Sequence, residues 1–372
     1  MTKKKASRKK GGIKEPDIFP ESDDFTLGTH PRKKLGLVGH QKTAEILTHS
    51  FTSGRPPQVI LLTGPQGIGK ATLTYHFIRA FERHGQNMTV DDIYTQPEDD
   101  IYRHIAHLGT GNLKILRRGF NEKTGKFYSA IRMDDVKALK SFFTLAAHND
   151  GYRYCVIDSV DDMVHGADSV PNALLKTLEE PPAKTIFFLL AHNEGSILPT
   201  IRSRASHYKL CPPTETELGH IMQDISSFRQ LDTDRQAKVL SEAAGSVRRV
   251  LALTEPIWID LSKSVKTVLL RSVAAERVIN IRKMREKFFD GTEASLLLQL
   301  MHMIFCQAIV AFMRHTVKNS PRSQHIFYQT ELFDKFNGLF IMADEYNIAP
   351  AETFETALHL IRYYQYQTSH LK

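Results

Sequence analysis

The sequence predicts a three-layer α/β domain built on a parallel sheet, followed by two helical domains. Short apolar strands alternate with helices between residues 59 and 210, as expected for a parallel sheet covered on both faces. A glycine-rich turn joins the first of these strands to a helix. Beyond residue 214 only helical periodicity is present. These three observations give the fold class and place the candidate chemistry in the first domain.

The 372 residues suffice for several domains, each with its own core. We expect a basic disordered tail over residues 1–34, the α/β domain over 35–210, a small helical domain over 211–256 and an all-helical domain over 257–372. Much of the formal charge of +8 comes from seven cations before residue 15, with no apolar segment that would make a secretory signal. A solubilising role and transient contact with nucleic acid are equally compatible with this tail.

The strands of the α/β domain are predicted from short, unalternating apolar runs at 59–62, 154–157 and 186–191. Helices are predicted over 70–83, 134–147 and 169–179, and Pro181 and Pro182 end the last of them. Residues 91–131 have mixed polarity and turn signals, and we expect an irregular insertion there.

A largely apolar stretch at 294–313 is long enough to cross a bilayer. Four polar side chains interrupt it, those of Ser295, Gln299, His302 and Gln307. Because lipid-exposed polar groups are costly, we expect a helix buried in a helical bundle instead.

The turn after the first strand is a candidate phosphate-binding loop. Gly64, Gly67 and Gly69 let the backbone wrap closely around phosphates, and Lys70 would reach the terminal ones. A Ser or Thr should follow the lysine to ligate Mg²⁺, but this chain has Ala71. Thr72 comes one residue too late, because a helical step of roughly 100° turns its side chain away from the metal. The loop therefore suits a nucleotide and lacks a metal ligand.

The strand at 154–157 leads into Asp158 and Ser159. In a nucleotide-hydrolysing domain an Asp here holds the Mg²⁺ shell and the next acid activates water. Ser159 cannot act as that base, and loss of a general base typically lowers the rate by about 10²–10⁴. Asp161 and Asp162 fall on the next turn and are expected to form a solvated face rather than to substitute.

Neither a disulfide framework nor a zinc site is predicted. Cys155, Cys211 and Cys306 are isolated, and His104 and His107 have no further metal ligand nearby. We therefore expect no metal and a reducing, cytoplasmic location.

Four motifs together carry a resemblance. Val38-Gly39-His40-Gln41, the loop at 64–70, the run Asn-Ala-Leu-Leu-Lys-Thr-Leu-Glu-Glu-Pro-Pro at 172–182 and the pair Ser203-Arg204 occur in this order. In sequence and spacing they resemble the clamp-loader branch of the AAA+ ATPases, most closely the delta-prime subunits of bacterial DNA polymerase III. The resemblance covers residues 35–253 and implies an AAA+ domain, a helical lid and a helical collar that mediates oligomerisation.

The resemblance also implies roles for particular residues. Arg204 would be an arginine finger that acts in trans on the nucleotide of a neighbouring motor subunit. Asn193 follows His192 near the first sensor position, and either Arg248 or Arg249 would occupy the second. The implied nucleotide-binding set, from the adenine side to the phosphates and sensors, is Val38, Gly39, His40, Gly64, Pro65, Gly67, Gly69, Lys70, Ala71, Thr72, Asp158, Asn193, Arg248 and Arg249.

Ala71 and Ser159 depart from the motor pattern, and residues 91–131 contain none of the cysteines that hold zinc in many relatives. The resemblance therefore implies a non-motor subunit of the DNA polymerase holoenzyme, with little or no ATPase activity of its own and at most weak ATP binding. Its partners would be the motor subunits and delta in a hetero-pentamer and, through them, the sliding clamp and primed DNA. Two alternatives remain: an active ATPase with substitute groups, and a basic nucleic-acid-binding protein with a vestigial P-loop domain.

Overall fold

The computed structural model describes residues 29–54, 56–121, 126–128, 130–144, 151–163, 169–254, 298, 301–306, 309–310, 323–345 and 348–369. The strands in this part of the chain are β1 (Val59–Thr63), β2 (Leu113–Leu116), β3 (Phe120–Asn121), β4 (Lys126–Phe127), β5 (Arg153–Asp158), β6 (Thr185–Ala191) and β7 (Ser206–Lys209). β3 and β4 pair with each other, and the remaining five form one sheet in the order β2-β5-β6-β1-β7. Every pairing in that sheet is parallel.

The α/β domain contains the helices α1 (Gln41–Thr52), α2 (Lys70–His84), α3 (Asp91–Tyr94), α4 (Asp100–Ala106), α5 (Met133–Thr144), α6 (Ser169–Glu179) and α7 (Pro199–Arg202). The next helices are α8 (Glu215–Met222), α9 (Ser226–Arg229), α10 (Thr233–Ala243) and α11 (Val247–Thr254). Two long helices follow near the end of the chain, α12 (Ser323–Glu345) and α13 (Pro350–Ser369).

The sheet is buried on both faces, which confirms the predicted three-layer fold. Alternate residues of β1 enter different cores: Ile60 packs in the core that includes α2, and Leu61 packs in the core that includes α6. Because successive strand residues point to opposite faces, the interior residues of a strand between two helical layers must be apolar. All five residues of β1 and all seven of β6 are buried.

The prediction of an irregular insertion at 91–131 was wrong. This segment supplies α3, α4 and the short hairpin, and β2 is an edge strand of the main sheet, paired only with β5. An edge strand needs less apolar surface than a central one, and Lys114 and Ile115 in β2 are only partly buried. Its sequence therefore lacks the continuous apolar run that identified the other strands. The remaining edge strand, β7, carries half-buried polar residues and was not predicted for the same reason.

The described parts of the two C-terminal regions are helical. α8 to α11 enclose a small core of their own, and a second core lies between α12, α13 and the residues described within 298–310. In the latter, Phe305 packs against Phe336 and Phe354, with ring centroids 5.2 and 5.9 Å apart. Where it is described, the apolar stretch at 294–313 is therefore a buried helix of a bundle. Among the described residues we find no helix long and apolar enough to cross a bilayer.

Candidate functional site

The glycine-rich loop connects β1 to α2 at the carboxyl edge of the sheet. Gly64, Gly67 and Gly69 have φ values of +148°, +80° and +105°, which L side chains rarely adopt. Space is also restricted, because a Cβ on Gly64 would lie 2.7 Å from the carbonyl oxygen of Leu210. The loop therefore requires glycine at these positions, as a phosphate cradle does.

Lys70 is the first residue of α2, and its side chain is buried within the loop. Its ammonium donates hydrogen bonds to the carbonyl oxygens of Gly64, at 2.6 Å, and Pro65, at 2.8 Å. Burial lowers the Lys70 pKa to about 8, partly opposed by the nearby carboxylates of Asp158 and Asp161. In this conformation Lys70 holds the loop together, and it must leave these carbonyls to reach a phosphate.

The two residues that follow Lys70 are packed into the domain. Ala71 presents a methyl group that packs against the core on the α2 side of the sheet. Thr72 is buried, with 9% of the residue exposed. The structure thus offers Mg²⁺ no hydroxyl ligand at the position where motor subunits have one. The expectation that no metal binds remains a prediction, and no cluster of metal-ligating side chains occurs among the described residues.

The small helical domain formed by α8 to α11, which we call the lid, contacts the phosphate loop directly. Ser246 donates through Oγ to the carbonyl oxygen of Gln66 at 3.0 Å, and the amide of Val247 donates to the carbonyl oxygen of Gly67 at 3.0 Å. A Cβ on Gly67 would lie 2.4 Å from Ser246 Oγ and 2.8 Å from the Cβ of Arg248. The sequence analysis did not assign Ser246 to the site, although this residue lies just before the candidate sensor residues Arg248 and Arg249.

The two candidate second-sensor arginines are placed differently. Arg248 lies over the phosphate loop, and its charge acts on the buried His192. The Arg249 side chain is exposed. The structure therefore brings only Arg248 of this pair into the site.

Asp161 links the segment after β5 to the turn after β6. Its carboxylate accepts hydrogen bonds from the amides of His192, at 2.6 Å, and Asn193, at 3.0 Å. Asp162 forms an ion pair with Arg118 at 3.3 Å. The expectation of a solvated face at these two aspartates was therefore wrong. An alternating or helical pattern cannot show that a carboxylate caps the amides of a segment thirty residues away.

The side chain of His192, rather than that of Asn193, lies among the charged groups of Lys70, Asp161 and Arg248. Oδ1 of Asn193 accepts a hydrogen bond from the amide of Gly195 at 3.0 Å and so caps the short turn that follows β6. Burial lowers the His192 pKa to about 4, and the cations of Lys70 and Arg248 act in the same direction. The carboxylate of Asp161 opposes them.

This histidine should make the fold acid-sensitive. In the unfolded chain an imidazole binds its proton near pH 6.5, whereas folded His192 binds it only near pH 4, so stability is lost as pH falls through that window. Between pH 7 and 5 we expect a loss of about 1–2 kcal/mol from this group. The free energy of unfolding measured in urea should depend less on pH for His192→Gln than for the wild-type protein. For the control His220→Gln, which replaces an exposed histidine, it should depend on pH as in the wild-type protein. An equal pH dependence in all three proteins would contradict the assignment.

The segment Val38–His40 lies beside the loop on the side where the resemblance places adenine. Nε2 of His40 lies 2.7 Å from the carbonyl oxygen of Ile68, and burial lowers the His40 pKa. The hydroxyl of Tyr94 donates to the carbonyl oxygen of Gly39 at 2.7 Å. Glu217 of the lid helix α8 also approaches Gly39. The loop, this segment, Asp158, His192 and Arg248 therefore form one site, closed by the lid.

Arg204 lies elsewhere. It sits between α7 and β7, at the amino edge of the sheet, since Ser206 at the start of β7 pairs with Ile60 near the start of β1. The phosphate loop follows the opposite end of β1. With about 3.3 Å per strand residue, the length of β1 separates the two by roughly 15 Å. Arg204 therefore cannot serve the nucleotide site of its own chain.

Comparison with known proteins gives a consistent set of relatives. Residues 39–214, just under half of the chain, match the family described as DNA polymerase III, delta subunit. Replication factor C subunit 3 of Blastobotrys adeninivorans is 23% identical over 266 residues, 70% of this chain and 69% of that protein. DNA polymerase III subunit delta' of Escherichia coli K12 is 38% identical over 95 residues, 25% of this chain and 27% of that protein. The match therefore spans about a quarter of the length of the Escherichia coli protein.

Among solved structures, a gamma subunit-related protein of DNA polymerase III from Thermotoga maritima aligns with 88% of this chain and all of its own. The sequence identity is 14% and the TM-score 0.45.

Proposed function

We propose that this chain, a clamp-loader-family AAA+ protein, is a non-motor subunit of the delta-prime type. It would act in the complex that loads the sliding clamp onto primed DNA during replication and donate Arg204 to the adjacent motor subunit. One observation carries the proposal. The groups that hydrolysis needs are replaced at the chain's own nucleotide site, while an exposed arginine stands at the opposite edge of the sheet.

The non-motor role is supported by what surrounds the phosphate loop. Ala71 supplies no metal ligand, and the buried Ser159 cannot activate water. Lys70 already bonds two carbonyl oxygens, and the lid bonds two more through Ser246 and Val247. Four hydrogen bonds thus hold the loop in its present conformation. A domain of this kind acts as a rigid arm rather than as a hydrolytic motor.

Weak ATP binding is part of the proposal. The loop keeps its glycines, its amides at the start of α2 and Lys70, which together favour an anion. Binding must displace Lys70 from two carbonyls and shift the lid, and this cost should keep the affinity low. Of the two candidate arginines, we assign the second sensor position to Arg248, because it lies over the loop.

Oligomerisation is assigned to the C-terminal helices, the collar of the family. Ile341 and Met342 on α12 are 60% and 52% exposed, and Tyr363 on α13 is 56% exposed. Ile341 and Met342 are neighbours in the chain, and exposed apolar side chains that lie together favour a protein interface over a free surface. We therefore expect these helices to contact the motor subunits and delta.

The proposal is tested by assembling the full-length chain with the motor subunits, delta and sliding clamp of the same organism. Native mass spectrometry with and without ATP should find one copy of this chain in a hetero-pentamer. Ile341→Glu should weaken its incorporation, because a buried unpaired charge is costly. His359→Glu, an exposed substitution on α13, is the control. Failure of the wild-type chain to join any such complex would exclude the delta-prime assignment.

A further inference from the structure

The guanidinium of Arg204 is held by three contacts within its own chain. Nη1 donates to the carbonyl oxygen of Thr200 at 2.8 Å and to Ser203 Oγ at 3.1 Å. Nη2 donates to Oε1 of Glu179 at 2.5 Å. Glu179 is the last residue of α6, so the carboxylate comes from a different element of the fold.

We propose that Glu179 is a positioning residue for Arg204, which orients the guanidinium toward the nucleotide of the neighbouring subunit. This inference rests on the proposed function. An exposed arginine samples many rotamers, and holding it in one before assembly removes an entropic cost from the step in which it meets a phosphoryl group. The three hydrogen bonds use three of the five N–H donors of the guanidinium, which leaves two for phosphate oxygens.

The backbone around the pair is fixed by burial. Leu178, next to Glu179, and Ile201, between Thr200 and Arg204, pack in the same core. The side chains of Glu179 and Arg204 are 46% and 33% exposed, so the ion pair lies outside that core. Exposed ion pairs contribute little to stability because water screens them. The main consequence of the Glu179 contact is therefore the direction in which Arg204 points.

A restraining role for Glu179 would predict the opposite effect of its removal. If the carboxylate competed with the phosphoryl group for Arg204, hydrolysis by the neighbour would rise when the carboxylate is removed. The remaining donors favour positioning, because the guanidinium need not break its present contacts to engage phosphate oxygens. Removal of the Glu179 carboxylate therefore lowers the neighbour's rate of ATP hydrolysis if Glu179 positions Arg204, and raises that rate if Glu179 restrains it.

The test uses the reconstituted complex with Glu179→Ala in the full-length chain. With hydrolysis restricted to the neighbouring motor subunit, we expect the kcat of clamp- and DNA-stimulated ATP hydrolysis to fall about two- to tenfold, the range that corresponds to ordering one long side chain. Assembly and the KM for ATP should not change. Glu194→Ala is the control, because it removes exposed ion pairs close by, those of Glu194 with Arg202 of α7 at 2.9 Å and with Lys209 at 3.3 Å.

A double variant decides whether Glu179 acts through Arg204. In the Arg204→Ala background, Glu179→Ala should cause no further loss, because there is no guanidinium left to orient. An additive loss, or hydrolysis by Glu179→Ala at or above the wild-type rate, would overturn the positioning role. If Arg204→Ala reduces hydrolysis and Glu179→Ala does not, only this inference fails. If Arg204→Ala itself has no effect, the arginine-donor part of the proposed function fails with it.

Discussion

Replacing Arg204 with alanine should leave this chain folded and able to join its complex, yet lower ATP hydrolysis by the neighbouring motor subunit by about 10³-fold or more. The reason is that charge developing on the transferred phosphoryl group would lose its partner. The arginine lies at the edge of the sheet opposite its own phosphate loop, so the effect must appear in the neighbour's site. The measurement is clamp- and DNA-stimulated turnover of a reconstituted complex in which the other motor subunits carry a substitution that prevents hydrolysis, so that only the neighbour's site is measured.

Two further variants test whether the loss of turnover is specific to the guanidinium at position 204. Arg204→Lys should rescue poorly, because an ammonium lacks the planar fork that binds two oxygens at once. Arg202→Ala, which removes a more exposed arginine of α7 paired with Glu194, should leave turnover unchanged. Should Arg204→Ala melt early or fail to assemble, while complexes that do form hydrolyse ATP normally, Arg204 is a structural residue.

The purified chain alone should hydrolyse ATP far more slowly than about 1 s⁻¹, an ordinary turnover for an enzyme. Loss of a general base typically reduces the rate by about 10²–10⁴, and the missing metal ligand at position 71 adds to this. Asp161 does not replace the missing general base, because its carboxylate already accepts hydrogen bonds from the amides of His192 and Asn193. A steady-state assay on the wild-type chain measures this directly.

Lys70→Ala is the control for that assay. Residual turnover that persists in this variant comes from a contaminating enzyme, and turnover near 1 s⁻¹ that Lys70→Ala abolishes would show instead that the chain is an active ATPase. Calorimetry on the same two proteins tests the proposed weak ATP binding, which Lys70→Ala should abolish. Binding that persists unchanged would place the ligand at another site.

Much of the α/β domain followed from local sequence. The central strands β1, β5 and β6 were predictable because the interior residues of a strand buried on both faces must be apolar. The helices α2 and α6 began where predicted. The edge strands β2 and β7 were not, because each pairs on one side and tolerates polar residues. The residues of the phosphate loop were identified because its glycines must adopt backbone angles that other residues avoid.

The sequence by itself determined the layers of the first domain, the phosphate loop and the two substitutions that argue against hydrolysis, since each depends on residues adjacent in the chain. Only the tertiary structure decided which side chains meet. It placed Ser246 and Arg248 on the loop, turned Asp161 toward the amides after β6, and put Arg204 beside Glu179. These contacts join residues that are 25 positions apart, for Glu179 and Arg204, or as many as 180, for Ser246 and Gln66. Their geometry is set by how helices pack on the sheet, which no local pattern encodes.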